Sequence, residues 1–283
     1  MGDSGDDTTP APIGVFDSGI GGLTVLSALH AVLPEQDFLY LGDNLNAPYG
    51  TRGQEEIFEL TIAGVSRLFE RGCNLVILAC NTASAVALRR LQEEWLPVAA
   101  PGRRVLGIFV PVIETLSGRP WAAAGRPVEL PRQTVALFAT PATVASGAFP
   151  RELGFRARGI RVEQMPCPGL VEALEGGDRA VAEGLIEGFC RDLLSACPAP
   201  SAAILGCTHY PLMAESFRQC LPEGTRFLSQ PEIVAQSLAD YLRRHPDFEG
   251  GHGHIHLLTT STPEQVSTAA ERLTGTRVVF SRL

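Results

Sequence analysis

Two cysteines stand in matching surroundings. Leu75-Val-Ile-Leu-Ala-Cys80-Asn-Thr82 and Ala203-Ile-Leu-Gly-Cys207-Thr-His209 each run a short apolar stretch straight into a cysteine, with threonine no more than two positions beyond it. For an isolated cysteine, packing in a core explains the residue well. A repeated one in the same context points instead to a pair of acid/base thiols, as needed by a reaction that approaches one carbon from opposite faces. Cys73, Cys167, Cys190, Cys197 and Cys220 lack the duplicated setting and read as core or helix-face residues.

The segments that must position these thiols alternate in character. Ile13 to Phe16, Phe38 to Leu41, Leu75 to Ala79, Arg104 to Phe109, Thr134 to Phe138, Ile160 to Gln164, Ala202 to Leu205 and Arg226 to Leu228 are short apolar runs that read as strands. Leu23 to Leu33, Gln54 to Arg71, Thr82 to Leu91, Gly169 to Leu174, Arg179 to Leu194 and Tyr210 to Cys220 carry three-and-four apolar spacing and read as helices. The alternation predicts an α/β protein with parallel sheets sandwiched by helices. Superposing Cys80 on Cys207 also brings Phe16-Asp17-Ser18-Gly19 near Phe138-Ala139-Thr140-Pro141, which predicts two similar halves with a cleft between them. The Pro- and Gly-rich stretch 117–133 reads as the connection between the halves. In such sheets ligands sit beyond the carboxyl ends of strands, where both cysteines fall. A thiol there meets aligned backbone N–H groups, which predicts a pKa drawn down toward the working pH.

Composition narrows the field. The 283 residues are 45% hydrophobic and 19% charged, which fits compact packing. A net charge of -8 with no basic block argues against nucleic acid as a partner. The longest apolar stretch, Val105 to Ile113, is too short to span a bilayer and contains Pro111. Seven cysteines without a C-x-x-C pair predict a reduced, cytoplasmic protein. Residues 1–12, acidic and with no apolar run, read as a disordered tail.

Five motifs together carry a resemblance: Ile13-Gly-Val-Phe-Asp17-Ser-Gly-Ile-Gly-Gly22-Leu-Thr-Val-Leu26, Leu41-Gly-Asp43 with Pro48-Tyr-Gly50, Ala79-Cys-Asn-Thr-Ala-Ser84, Ala139-Thr-Pro-Ala-Thr143-Val-Ala-Ser146 and Leu205-Gly-Cys-Thr-His-Tyr-Pro-Leu212. In order and spacing over about residues 13–235 the chain resembles the glutamate racemases, cofactor-independent members of the aspartate/glutamate racemase superfamily. The resemblance implies two pseudo-symmetric flavodoxin-like domains with the active site in the cleft between them, placed here at 13–105 plus 229–283 and at 106–228. It implies interconversion of L- and D-glutamate for peptidoglycan synthesis, with Cys80 and Cys207 as the acid/base thiols. Cys207 takes the proton from L-glutamate while Cys80 returns one. Asp17 and His209 are implied as their respective partners, and Ser18, Tyr49, Gly50, Asn81, Thr82, Thr143 and Thr208, together with Asp17 and His209, as substrate-binding residues. No metal, pyridoxal or flavin is implied, and the assembly implied is a homodimer with no membrane or nucleic-acid partner.

The chain departs from the family pattern at Asn44-Leu-Asn46, Ala139, Glu172 and Ser229-Gln230, none of which is a thiol. Other readings of individual motifs stay open. Asp17-Ser-Gly-Ile-Gly-Gly22 followed by Asp43 has elements of a dinucleotide loop, although an acid stands where the first glycine belongs. His209 reads as a core histidine or as a partner of Cys207, and Tyr49 as a packed aromatic or a site residue. His252-Gly-His-Ile-His256 alternates so as to place three imidazoles on one face of a strand, yet no carboxylate or cysteine accompanies it at ligand spacing, so a solvent-facing hairpin or strand is expected. Related enzymes acting on aspartate, a hydantoin or a malonate, a nucleotide-dependent oxidoreductase, and a binding module are the competing functions.

Overall fold

The computed structural model describes residues 11–120 and 125–283, so the tail expected to be disordered lies outside the described residues as far as residue 10. The first stretch contains β1 (Ile13–Asp17), α1 (Leu23–Val32), β2 (Phe38–Gly42), α2 (Gln54–Glu70), β3 (Leu75–Leu78), α3 (Asn81–Val86), α4 (Leu88–Arg90), α5 (Leu96–Ala99), β4 (Arg104–Gly107) and α6 (Phe109–Ser117). The middle contains β5 (Val128–Ala139), α7 (Pro141–Ser146), α8 (Ala148–Gly154), β6 (Ala157–Pro166), α9 (Leu170–Gly176), α10 (Arg179–Ala196), β7 (Ala202–Gly206), α11 (Ala214–Cys220) and β8 (Arg226–Leu228). The chain closes with α12 (Gln230–Arg244), β9 (Ile255–Thr259), α13 (Pro263–Thr274) and β10 (Ser281–Arg282).

Two parallel sheets result, ordered β10-β9-β2-β1-β3-β4 and β6-β5-β7-β8. The four strands of the second sheet and the first four of the first share the order second, first, third, fourth, and in the first sheet β9 and β10 extend the edge beyond β2. The fold is therefore the expected α/β pair of flavodoxin-like sheets, and the direction of winding reverses beside β1 in one and beside β5 in the other. The strands carry continuous apolar runs because helices cover both faces. Along β1, Ile13 and Val15 pack with Leu26 and Leu29 of α1 and Leu238 of α12, whereas Phe16 packs with Ile57, Val65 and Leu68 of α2. In the second sheet Phe138 and Leu205 face Ile186 and Leu193 of α10, and Leu137 and Ile204 face Val112 of α6 and Phe149 of α8.

Several element boundaries differ from the sequence reading. The strand expected at Arg104 to Phe109 stops at Gly107, which lies so flat against α4 that a Cβ there would approach Leu88 Cδ2 to 2.5 Å. Residues 128–133, read as part of a loop, belong to β5. That arm pairs only with β6, with a register shift between Glu129 and Gln133, and on such a one-sided, irregular stretch Pro131 is tolerated. The helices expected at Thr82 to Leu91 and Tyr210 to Cys220 are broken, the first into α3 and α4 and the second into a 3₁₀ turn, Tyr210–Met213, followed by α11. The histidine run is no hairpin: His252 and His254 lie in an exposed loop, and only His256 is in β9, which runs parallel to β2.

Candidate active site

Cys80 stands two residues past the end of β3 and is the N-cap of α3, its Sγ accepting from Ala83 N–H at 3.4 Å. Asp17 ends the neighbouring β1, one residue past the Phe16–Leu78 pairing. Its Oδ2 accepts from the N–H groups of Gly19 (3.0 Å) and Gly22 (3.1 Å). Those donors are thereby committed to the carboxylate, which removes them as a pyrophosphate cradle and disposes of the dinucleotide reading. Ser18 accepts from the Cys80 thiol at 3.4 Å.

Cys207 follows β7, the matching strand of the second sheet, and β7 pairs β5 as β3 pairs β1. Its Sγ lies 3.9 Å from His209 Nδ1, and His209 Nε2 lies 2.9 Å from Glu175 Oε1. Thr208 Oγ1 reaches across to Asp17 Oδ1 at 3.5 Å, and Thr24 donates to the Thr208 carbonyl at 3.0 Å, so the two half-sites are knitted together. Gly21 permits this approach, because a Cβ there would lie 2.4 Å from His209 Nδ1. Gly50 does the same on the other side, where a Cβ would meet Thr140 at 2.8 Å.

Threonine hydroxyls form a second bridge. Thr82 of α3 lies 2.9 Å from Thr140 and 3.3 Å from Thr143, and Thr140 donates to Thr143 at 2.9 Å. Tyr49 is buried with its ring against Phe16, and its hydroxyl donates to Asp43 Oδ2 at 2.7 Å. Asn81 is the informative exception: both amide atoms are buried with no partner. A buried primary amide left open on both its donor and acceptor sides calls for a polar ligand or water.

Burial sets the protonation states. It pushes the Cys80 thiol up to about 12, with the Asp17 carboxylate adding to the effect and the contacts from Ser18 and Ala83 N–H opposing it. The lowered pKa expected for a capping thiol is therefore corrected, since one amide contact does not offset desolvation beside an anion. Asp17 is itself raised by burial, against the pull of His209 and the two glycine N–H groups. At His209 burial opposes the charge, but the contacts with Cys207 and Glu175 outweigh it and push the imidazole up to about 10. The arrangement can hold one thiol protonated beside a carboxyl group and the other beside an imidazolium.

Of the residues singled out in the sequence, Asp17, Ser18, Cys80, Asn81, Thr82, Cys207, Thr208 and His209 lie together where β1, β3 and β7 end. Tyr49 and Gly50 approach on the loop after β2, and Thr143 on α7. Glu175 and Thr140 are not among the site residues read from the sequence, and Asp43 figures there only as the acid of the dinucleotide alternative. Glu175 looks like any solvated helix carboxylate in the sequence. Asp43 and Thr140 were inside quoted motifs, and their hydrogen-bonding side chains were the available signal.

A family model described as Asp/Glu/Hydantoin racemase matches residues 22–238. The curated glutamate racemase of Dinoroseobacter shibae is 53% identical over 95% of this chain and 97% of its own length. That of Paracoccus denitrificans is 55% identical over 91% and 94% respectively. Among solved structures, glutamate racemase from Thermus thermophilus in complex with β-chloro-D-alanine superposes with a TM-score of 0.79 at 34% identity, covering 97% of each chain.

Proposed function

The chain belongs to the Asp/Glu/hydantoin racemase family, and from that membership we propose that it interconverts L- and D-glutamate by a cofactor-independent, two-thiol proton transfer. The observation that carries the reading is the placement of Cys80 and Cys207 at the ends of the corresponding third strands of two like-ordered sheets, with Asn81's unpartnered amide beside them.

The α-proton of an amino acid is weakly acidic, so the site must stabilise the charge that passes into the α-carboxylate as the proton leaves. The Asn81 amide and the Ser18, Thr82 and Thr208 hydroxyls supply donors for the substrate's polar groups. For L-glutamate, the Cys207 thiolate takes the α-proton while the His209 imidazolium, held by Glu175, balances its charge. The electron pair left on the α-carbon then takes the Cys80 thiol proton from the opposite face, giving D-glutamate, a Cys80 thiolate and a Cys207 thiol. D-glutamate runs the same path backwards. Tyr49, Gly50 and Thr143 shape the wall that receives the substrate.

The same reading makes the protein a cytoplasmic homodimer that supplies D-glutamate for peptidoglycan, divided into domains at 13–105 plus 229–283 and at 106–228. All seven cysteines are free, which accords with a reducing compartment. No helix among the described residues is long and apolar enough to cross a membrane. Light-scattering mass tests the dimer. The reaction is tested by incubating chelator-treated protein with L-glutamate in D₂O under reducing conditions. D-glutamate carrying deuterium at the α-carbon is expected. Unchanged L-glutamate, with turnover of aspartate or another α-acidic compound, would move the substrate assignment within the family.

A further inference from the structure

The histidine run acquires the carboxylate that its sequence neighbourhood lacks. Asp37 immediately precedes β2, and because β2 pairs with β9 from Phe38 opposite Ile255, its side chain meets the loop that leads into β9. Asp37 Oδ1 accepts from His252 N–H (2.9 Å) and His254 N–H (2.7 Å). Gly250 N–H donates to Gln36 Oε1 at 2.9 Å, and Gly253 N–H to the Glu35 carbonyl at 3.1 Å, so the loop is laced to the chain before β2. Glycine is required for this wrap. Gly251 has φ +139 and a Cβ there would lie 2.5 Å from Asp37 Cγ, while Gly253 has φ +76 and its Cβ would lie 2.3 Å from the Pro34 carbonyl oxygen. The imidazoles of His252 and His254 stack with centroids 5.8 Å apart, both exposed beside the carboxylate.

We propose that Asp37, His252 and His254 bind one divalent transition-metal ion. One ligand atom from each of the three lies within 4.8 Å of the others. Three ligands around one ion at bond lengths near 2.0–2.1 Å stand about 3.3 Å apart in tetrahedral geometry, so a small rotation of two exposed imidazoles closes the set. Two imidazoles with one carboxylate suit zinc, nickel or cobalt and not magnesium or calcium, which take oxygen ligands. The ion fastens the loop before β9 to the start of β2. Five residues of β2 separate this place from the catalytic end of the sheet, about 17 Å at ~3.3 Å per residue, so the role is structural.

The test uses tag-free, chelator-stripped protein and Ni²⁺ in equilibrium dialysis, with a Cys80→Ser/Cys207→Ser variant to remove the catalytic thiols as competing ligands. One ion per chain is expected to remain bound in the cysteine variant. His252→Ala/His254→Ala should abolish it, and Asp37→Asn, which keeps an oxygen for the two backbone N–H groups, should weaken it at least about tenfold, the loss that even an outer-shell partner typically brings. Ni²⁺ should raise the melting temperature of the wild type and not of the double histidine variant, whose turnover of glutamate should stay at the wild-type rate as proof of folding. No bound ion, or an ion lost with the cysteines and retained without the histidines, overturns the proposal.

Discussion

The two halves of the site share a frame and differ in charge. Both place a cysteine after the third of four strands ordered second, first, third, fourth, and both follow it with a threonine one or two positions on. Beside Cys80, however, stands the carboxyl group of Asp17, and beside Cys207 stands His209 with Glu175 behind it. Burial and Asp17 keep Cys80 a thiol, with its pKa pushed up to about 12, while contacts with Cys207 and Glu175 keep His209 charged up to about pH 10. On the proposed mechanism the duplicated fold supplies opposite approaches to one carbon, and the unlike partners distinguish the two thiols.

Removing either thiol should have the largest effect and should expose the asymmetry. Cys80→Ala and Cys207→Ala are each expected to cost between about a hundredfold and ten-thousandfold in racemisation. Cys80→Ala, which keeps the base for the L-face, should still exchange the α-proton of L-glutamate for solvent deuterium with retention. Cys207→Ala should do so only with D-glutamate. Proton NMR in D₂O follows both reactions, and exchange of the same enantiomer by both variants would refute the assignment of faces.

The partner residues come next. Glu175→Gln removes an anion from His209, and Asp17→Asn removes one from Cys80. Hydrogen bonds to charged groups are worth about 1.5–3 kcal/mol, so each should lower kcat/KM about ten- to a hundredfold. The equilibrium constant between enantiomers is unity, so kcat/KM must fall equally in both directions and cannot separate the halves. Primary isotope effects can: Glu175→Gln should raise the effect for L-[2-²H]glutamate, whose deuteron leaves to Cys207, and Asp17→Asn the effect for D-[2-²H]glutamate. Equal changes in both variants would make the charge difference irrelevant to the proton steps.

How much of this comparison was legible in the sequence follows from what fixes each part. The strand ends carrying Cys80 and Cys207 were readable because parallel strands buried on both faces must be short apolar runs, and because the motif occurs twice. Glu175 was not readable: its side chain is 34% exposed on a short helix of ordinary pattern, and only the tertiary fold brings it within 2.9 Å of His209, 34 residues along the chain. The direction of the Cys80 shift was misjudged because the sequence shows a capping position but not the depth of burial. Asp37 and His254 are 217 residues apart, and sheet register alone joins them.

A smaller consequence of the charge difference lies in stability. The folded pKa of His209, about 10, is above the unfolded value near 6.5, so its contribution is fully present below about pH 6.5 and is lost as pH rises through about 10. Cys80, raised from 9.0 to about 12, adds its own loss only above pH 9. Urea midpoints should therefore fall between pH 6.5 and pH 9 in the wild type, and His209→Asn should flatten that interval. An undiminished slope in the variant would show that another group carries the dependence.

The smallest effect is expected at Tyr49, where the first half's loop meets the second half. Its hydroxyl is committed to Asp43, which also accepts from Asn46 Nδ2 at 3.0 Å and from Thr260 Oγ1 at 2.8 Å. Tyr49→Phe keeps the ring against Phe16 and leaves Asp43 with two donors, so the loss in stability should be about 1–2 kcal/mol. If the wall at residues 49 and 50 acts through its backbone and shape, KM for glutamate should change less than about threefold, since a lost hydrogen bond of 1.4 kcal/mol would already give tenfold. A tenfold rise in KM with unchanged stability would instead mean that the hydroxyl leaves Asp43 for the substrate. Substrate contact would then draw on the first half's loop as well as on the paired strand ends.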